Sequence, residues 1–238
     1  MLIKKIIIKI LNFIRSILIM IKRHGSPPPD SFSHYNTFVT EQKRKSYETF
    51  KHHFLKSIFV NRKDYPRYII ERANENDPSN KKFYLEFGVA KGVSINFFSK
   101  YVNKIYGFDS FEGLREDWAG TSKPKNSYSL NKKLPKLNKN VVPIIGWIQD
   151  TLVPFLDEHK PEINFVHMDM DTYESTKFAL EKIKPYLSKN CIIAFDELYD
   201  YSGWEVGEYK ALKETFNDNE YKFICFMIDG EKAAIQIL

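Results

Sequence analysis

Cysteine is scarce in this chain, with two in 238 residues, which excludes a disulfide-stapled scaffold or a cysteine-rich metal site. Cys191 and Cys225 fall in segments that read as buried strands and lack metal-ligand spacing. Both are expected as reduced core thiols, which fits a cytoplasmic compartment. A long uninterrupted apolar run is also missing. Met1 to Arg23 is rich in Ile, Leu and Phe, but Lys9 and Arg15 interrupt it, against both a secretory signal core and a spanning helix of about 20 apolar residues. Beyond that segment there is no excess of charge. The formal net charge is +6, and Lys4, Lys5, Lys9, Arg15, Lys22 and Arg23 account for all of it, leaving 30 basic against 30 acidic side chains over residues 25–238. A balanced domain lacks the positive field from which most nucleic-acid affinity comes, so DNA and RNA are not expected partners.

What is present begins with that same segment. Its polar residues gather within about 140° of a helical wheel, so residues 1–24 are expected to form a basic amphipathic helix lying on an anionic membrane surface, peripheral to the inner membrane face. Ser26-Pro-Pro-Pro-Asp30 marks residues 25–37 as a stiff, Pro-rich linker. Residues 38–238 make up the expected folded domain, opening with helical spacing over Phe38–Asn61 and Tyr65–Asn76. His52 and His53, adjacent on the first of these helices, read as solvated.

From Phe83 onward strand and helix alternate. Strands are expected at Phe83–Phe87, Lys104–Phe108, Val141–Ile145, Ile163–Met168 and Cys191–Phe195, with helices near 93–102, 150–158, 173–187 and 204–216. This alternation predicts an α/β fold with a Rossmann-like, mostly parallel sheet and helices on both faces. The habit then changes: Tyr221–Ile228 and Glu231–Leu238 flank Asp229-Gly230, a strong hairpin signal. The expectation is a seven-stranded sheet ending in a C-terminal antiparallel hairpin. Residues 111–140, rich in lysine and holding Pro124 and Pro135, are too long for an ordinary connection and are expected to form a lid.

Tyr84-Leu-Glu-Phe-Gly-Val-Ala-Lys-Gly-Val-Ser94 carries the functional signal. A short apolar strand runs into a turn where Gly88 and Gly92 let the backbone approach a ligand, and a helix follows whose free N–H groups suit an anion. Asp109, at the end of the next strand, stands where a nucleotide fold holds ribose hydroxyls. A second signal is acidic. Asp169 with Asp171 follows one predicted strand, and Asp196 with Glu197 ends the next. Carboxyl ends of neighbouring parallel strands lie side by side, so these four acids are expected to converge at the ligand crevice. A divalent ion with a preference for oxygen ligands would relieve their mutual repulsion.

On five segments, Glu86–Ser94, Gly107–Leu114, Gly146–Leu152, Asp169–Thr176 and Asp196–Tyr199, the chain resembles class I S-adenosylmethionine-dependent methyltransferases. More narrowly it resembles the macrocin O-methyltransferase family, which methylates sugar hydroxyls with a divalent metal. The resemblance implies that Glu86 and Ser94 hold the methionine end of the cofactor. It also implies that Gly88 and Gly92 make room, with Val89, Ala90 and Ser110 beside them in the same turns, that Asp109 takes the ribose, and that Gln149 and Asp150 meet the adenine. Asp169 and Asp196, with Glu197 or Asp171 as the third ligand, would hold magnesium, or manganese or calcium, with Asp169, Asp171, Asp196 and Tyr199 as the catalytic set. The family's histidine after the fifth-strand acids is absent here, where Leu198-Tyr-Asp-Tyr201 stands, so Asp171, Glu174 or Tyr199 must serve as base, or the ion suffice. His167 shares the strand face of Asp169 and reads either as a core histidine or as a site residue. Trp118, Tyr201 and Trp204 are candidates to stack on the acceptor. The expected acceptor is a saccharide of a surface polysaccharide or lipid-linked glycan, or another small molecule, and a homo-oligomer is left open. Three rivals remain: a catechol-type small-molecule O-methyltransferase, disfavoured by Thr172 where that family carries lysine; a non-catalytic nucleoside-binding scaffold at the membrane; and an RNA methyltransferase.

Overall fold

The computed structural model describes residues 8–15 and 33–238, and the chain divides into units at residues 1–38 and 39–238. In the first unit, residues 8–15 are helical (α1) and exposed. The rest of the predicted surface helix, and the linker as far as residue 32, lie outside the described residues. The last part of the predicted linker is helical instead, because α2 (His34–Phe54) begins there. Among the described residues no helix is long and apolar enough to cross a membrane.

The second unit is built on an eight-stranded sheet in the order β1-β7-β8-β6-β5-β2-β3-β4. The strands are β1 (Ile58–Val60), β2 (Phe83–Phe87), β3 (Ile105–Asp109), β4 (Val141–Ile145), β5 (Ile163–Met168), β6 (Leu187–Phe195), β7 (Tyr221–Met227) and β8 (Ala233–Ile237). All seven expected strands are present, and β8 alone runs antiparallel to its neighbours. The eighth, β1, corrects the helix expected to continue to Asn61: α2 stops at Phe54, and Ile58-Phe-Val60 pairs in parallel with β7. A β-branched and aromatic triplet suits a half-buried edge, and the Ser57 hydroxyl ties its start to the Phe223 carbonyl at 3.1 Å.

Strands such as β2 and β5 are buried on both faces because both are covered. One face meets α5 (Ile148–His159), α6 (Tyr173–Ile183) and α7 (Glu208–Thr215), through Leu152, Phe155, Leu180, Ile183 and Leu212. Phe50 of α2 joins this core, with rings of Tyr199, Trp204, Tyr209, Phe223 and Phe226 all 5.1–5.9 Å away. The other face meets α3 (Tyr65–Glu75) and α4 (Val93–Phe98), through Ile69, Ile70, Ile95 and Phe98. His53 departs from its solvated reading: it packs on Phe223 at 4.5 Å, and burial, with His52 beside it, pushes its pKa down to about 4. Cys191 and Cys225 are buried free thiols.

Candidate active site

The carboxyl ends of β2, β3 and β5 open onto a cavity of about 310 Å³. One wall is the glycine turn. Gly88, at φ +86°, lies so close to β5 that a Cβ there would sit 1.7 Å from the Asp169 carbonyl oxygen. Only glycine allows that approach. Gly92, at φ +76°, starts α4 against Leu137 of the 111–140 segment. Asp109, ending β3, accepts the N–H groups of Val89 at 2.9 Å and Ala90 at 2.7 Å on one oxygen and that of Phe111 at 2.6 Å on the other. One carboxylate thus holds two consecutive loops in shape at the cavity rim.

Gly146 and Trp147 form another part of the wall. Arg115 stacks its guanidinium over Trp147 at 5.5 Å and donates to Gln149 Oε1 at 2.6 Å. Residues 111–140 contain no helix or strand, and they contribute Gly113, Leu114, Arg115 and Tyr128 to the lining. The segment is fastened by Asn96, which donates to the Lys136 carbonyl at 2.9 Å and accepts the Asn138 N–H at 2.8 Å.

Beside the glycine turn stand the acids. Ligand oxygens of Asp169, Asp171 and Glu197 lie within 4.8 Å of one another, and all three residues line the cavity. Burial, with Asp196 next, pushes the Asp169 and Glu197 carboxyls well up and lifts Asp171 to about 7. Glu197 Oε2 is buried without a hydrogen-bond partner. Behind it Glu208, fully buried at the start of α7, accepts the Glu197 N–H at 3.0 Å on one oxygen, while its other is unpartnered. Carboxylates so crowded are costly to ionise together. The orphaned oxygen and the all-oxygen donor set fit a hard divalent cation.

Asp196 is differently placed. Its Oδ1 contacts the Lys232 ammonium and lies 3.3 Å from His167 Nε2. Burial alone would raise its pKa, but these two cations hold it low. His167 Nδ1 lies 3.2 Å from Glu86 Oε2, and Glu86 Oε1 accepts the Ser94 hydroxyl at 2.9 Å. Burial would keep His167 neutral, yet the flanking carboxylates lift it to about 10. Of its two readings, His167 thus occupies neither a simple core position nor the cavity wall.

Of the residues singled out from sequence, the structure gathers Gly88, Ala90, Asp109, Ser110, Asp169, Asp171 and Glu197 around the cavity. Glu86, Val89, Gly92, Ser94, Gln149, Asp150 and Asp196 surround that wall without lining it. Tyr199 is elsewhere: its phenol donates to the Met227 carbonyl at 2.8 Å and its ring packs on Phe226. Trp204 and Tyr201 are buried; Trp204 donates its indole N–H to the Gln42 carbonyl at 3.2 Å. Trp118 packs between Tyr128 and Tyr201, 6.4 Å and 6.0 Å away. Tyr128, Arg115, Glu208 and Lys232 were not anticipated. Arg115 and Tyr128 did carry a signal, since both lie in the segment already expected to cover the site.

No curated protein sequence matches the chain. Among solved structures, it is similar to "CalS11, Calicheamicin Methyltransferase", with a TM-score of 0.60 and 20% identity over 89% of this chain and 93% of that one. An apo structure of CalS11, described as a TDP-rhamnose 3'-O-methyltransferase, aligns with a TM-score of 0.52 and 19% identity over 83% and 93%. The O-methyltransferase NovP aligns with a TM-score of 0.51 and 18% identity over 73% and 79%. At these identities the likeness is one of fold. The family described as "Methyltransferase domain" matches residues 85–198, the span from the glycine-turn strand to the acids after β6. Residues 85–198 thus match a methyltransferase domain, and they lie on a Rossmann-like sheet of the kind those solved structures share.

Proposed function

We propose that the protein is an S-adenosylmethionine-dependent O-methyltransferase that methylates a sugar hydroxyl with the help of a divalent cation. The observation that carries this reading is one cavity lined both by a glycine turn held by Asp109 and by Asp169, Asp171 and Glu197. The likeness to CalS11, described as a TDP-rhamnose 3'-O-methyltransferase, supports the acceptor class. Gly88, Ala90, Asp109 and Ser110 bind the cofactor, with Trp147 beside its base. Asp169 and Glu197, with the Asp196 oxygen that neither His167 nor Lys232 engages, hold the cation. A bound ion would acidify and orient a hydroxyl near a sulfonium methyl that is already activated. Asp171, which lines the cavity with an oxygen within 4.8 Å of those of Asp169 and Glu197, is the base. Tyr128 and Leu114 of the 111–140 lid exclude water and meet the acceptor.

The test is methyl transfer from S-adenosylmethionine to a panel of saccharides and nucleotide sugars, followed by mass spectrometry. Turnover should vanish with EDTA and return with magnesium. Methylation of catechol but of no saccharide would favour the catechol-type rival, and S-adenosylhomocysteine binding without any turnover would favour the scaffold.

The same reading places the enzyme at a membrane surface. Ile8, Ile10, Leu11, Phe13 and Ile14 are exposed on α1 beside Lys9 and Arg15, the pairing of apolar and basic residues that an anionic interface attracts. The full chain should sediment with vesicles containing phosphatidylglycerol and lose that binding in high salt. A chain lacking residues 1–24 that still sediments would remove the segment as the anchor.

A further inference from the structure

His167 is a buried histidine with charged partners on both sides and no place in the cavity wall. It is 4% exposed, and its partners come from separate elements. β2 supplies Glu86, the residue after β6 is Asp196, α4 supplies Ser94 to Glu86, and the turn before β8 supplies Lys232 to Asp196. The sheet sets this row. His167 stands opposite Glu86 across β2–β5 and opposite Ala194 across β5–β6, and Phe195 stands opposite Ala233 across β6–β8, which brings Lys232 to Asp196. Glu86, His167, Asp196 and Lys232 follow one another along it, with His167 Nδ1 3.2 Å from Glu86 Oε2 but outside hydrogen-bonding geometry.

The ends of the row differ in what they serve. Ser94 lies in the first turn of α4, the helix that starts at Gly92, and Glu86 precedes Gly88 by two positions. At the other end Asp196 adjoins Glu197, and an Asp169 oxygen lies within 4.8 Å of both His167 and Asp196 ligand atoms. Buried charges of this kind are expensive to leave unpaired, so a shift of either carboxylate is felt at the imidazole between them.

We propose that His167 is a positioning residue that joins the cofactor turn to the acidic cluster, so that cofactor and divalent cation each strengthen the binding of the other. It fixes Asp196 by one oxygen and turns the other toward the cation, as hydrogen-bonded outer partners do for ligating carboxylates. Through Glu86 and Ser94 it fixes the start of α4 in the same act. This inference rests on the cation-assisted reading above. By linkage the coupling must be equal in both directions.

The test is calorimetric titration of the full chain with manganese and with S-adenosylhomocysteine, each alone and with the other present. For the unaltered chain each ligand should tighten the other by the same factor, about 5- to 150-fold. In His167→Gln the manganese Kd should rise about 10- to 100-fold, and the coupling factor should fall to near one. A merely structural role would lower Tm and weaken both ligands while leaving that factor unchanged. Should His167→Gln not fold, Glu86→Gln cuts the same row with an isosteric, uncharged side chain and should also abolish the coupling. Persistence of the factor in a folded variant, or independent binding of both ligands to the unaltered chain, overturns the proposal and leaves the proposed activity standing. Failure of the unaltered chain to bind either ligand overturns both.

Discussion

Gly88→Ala should cost about 2–5 kcal/mol of stability and abolish cofactor binding. Gly88 holds φ +86°, where an L side chain pays roughly 1–2 kcal/mol in backbone strain. Its added Cβ would meet the Asp169 carbonyl oxygen at 1.7 Å and the Asp169 carbonyl carbon at 2.6 Å. Those are backbone atoms, so no rotamer change relieves the clash, and overpacking of that kind adds about 1–3 kcal/mol. Relief requires β2 and β5 to separate where Phe87 pairs with Met168, in the middle of the sheet. Domain stability is only about 5–15 kcal/mol. Urea unfolding should therefore show a large drop in midpoint, and S-adenosylhomocysteine should give no calorimetric signal. An unchanged midpoint would mean that the turn is looser than the structure has it.

Asp169→Asn should move stability and activity in opposite directions. Asp169 is a buried acid with Asp196 and Asp171 beside it, and burial and both neighbours disfavour its ionised form. A carboxyl raised above its unfolded pKa subtracts from stability at neutral pH, where the unfolded chain ionises it freely and the folded chain does not. Replacing it by an amide of the same shape removes that penalty, and without added cation Tm should rise about 2–4 °C, equivalent to roughly 1 kcal/mol for a chain of this size. The same change removes a cation ligand at the centre of the cluster. Methyl transfer should fall at least ~100-fold, about 2.7 kcal/mol in transition-state stabilisation. The opposed signs separate a functional acid from a structural one. A variant that loses activity and stability together would show that Asp169 supports the fold. One that keeps its activity would remove Asp169 from the cation site.

The glycine-turn half of the site could be read from the chain because it is local. Gly88, Gly92 and Asp109 lie within one strand-turn-helix-strand unit, and glycine is needed wherever the backbone must take positive φ beside another strand. The alternation of strands and helices and the Asp229-Gly230 turn were legible for the same reason, since each is set by periodicity or by turn chemistry over a few residues. β1 was not. Ile58-Phe-Val60 follows a helix with one short break, and only the free edge of β7 gives it a partner.

Sequence by itself determined the α/β class, the glycine turn with its acid, and the presence of acids after β5 and β6. Tertiary structure decided what each acid meets. Asp171 and Glu197 face the cavity, whereas Asp196 turns to Lys232 and His167. That division depends on β8 inserting between β6 and β7, which carries Lys232 to a carboxylate 36 positions earlier. A charge pair across strands has no periodicity to announce it, because its energy comes from burial that exists only once the sheet is assembled.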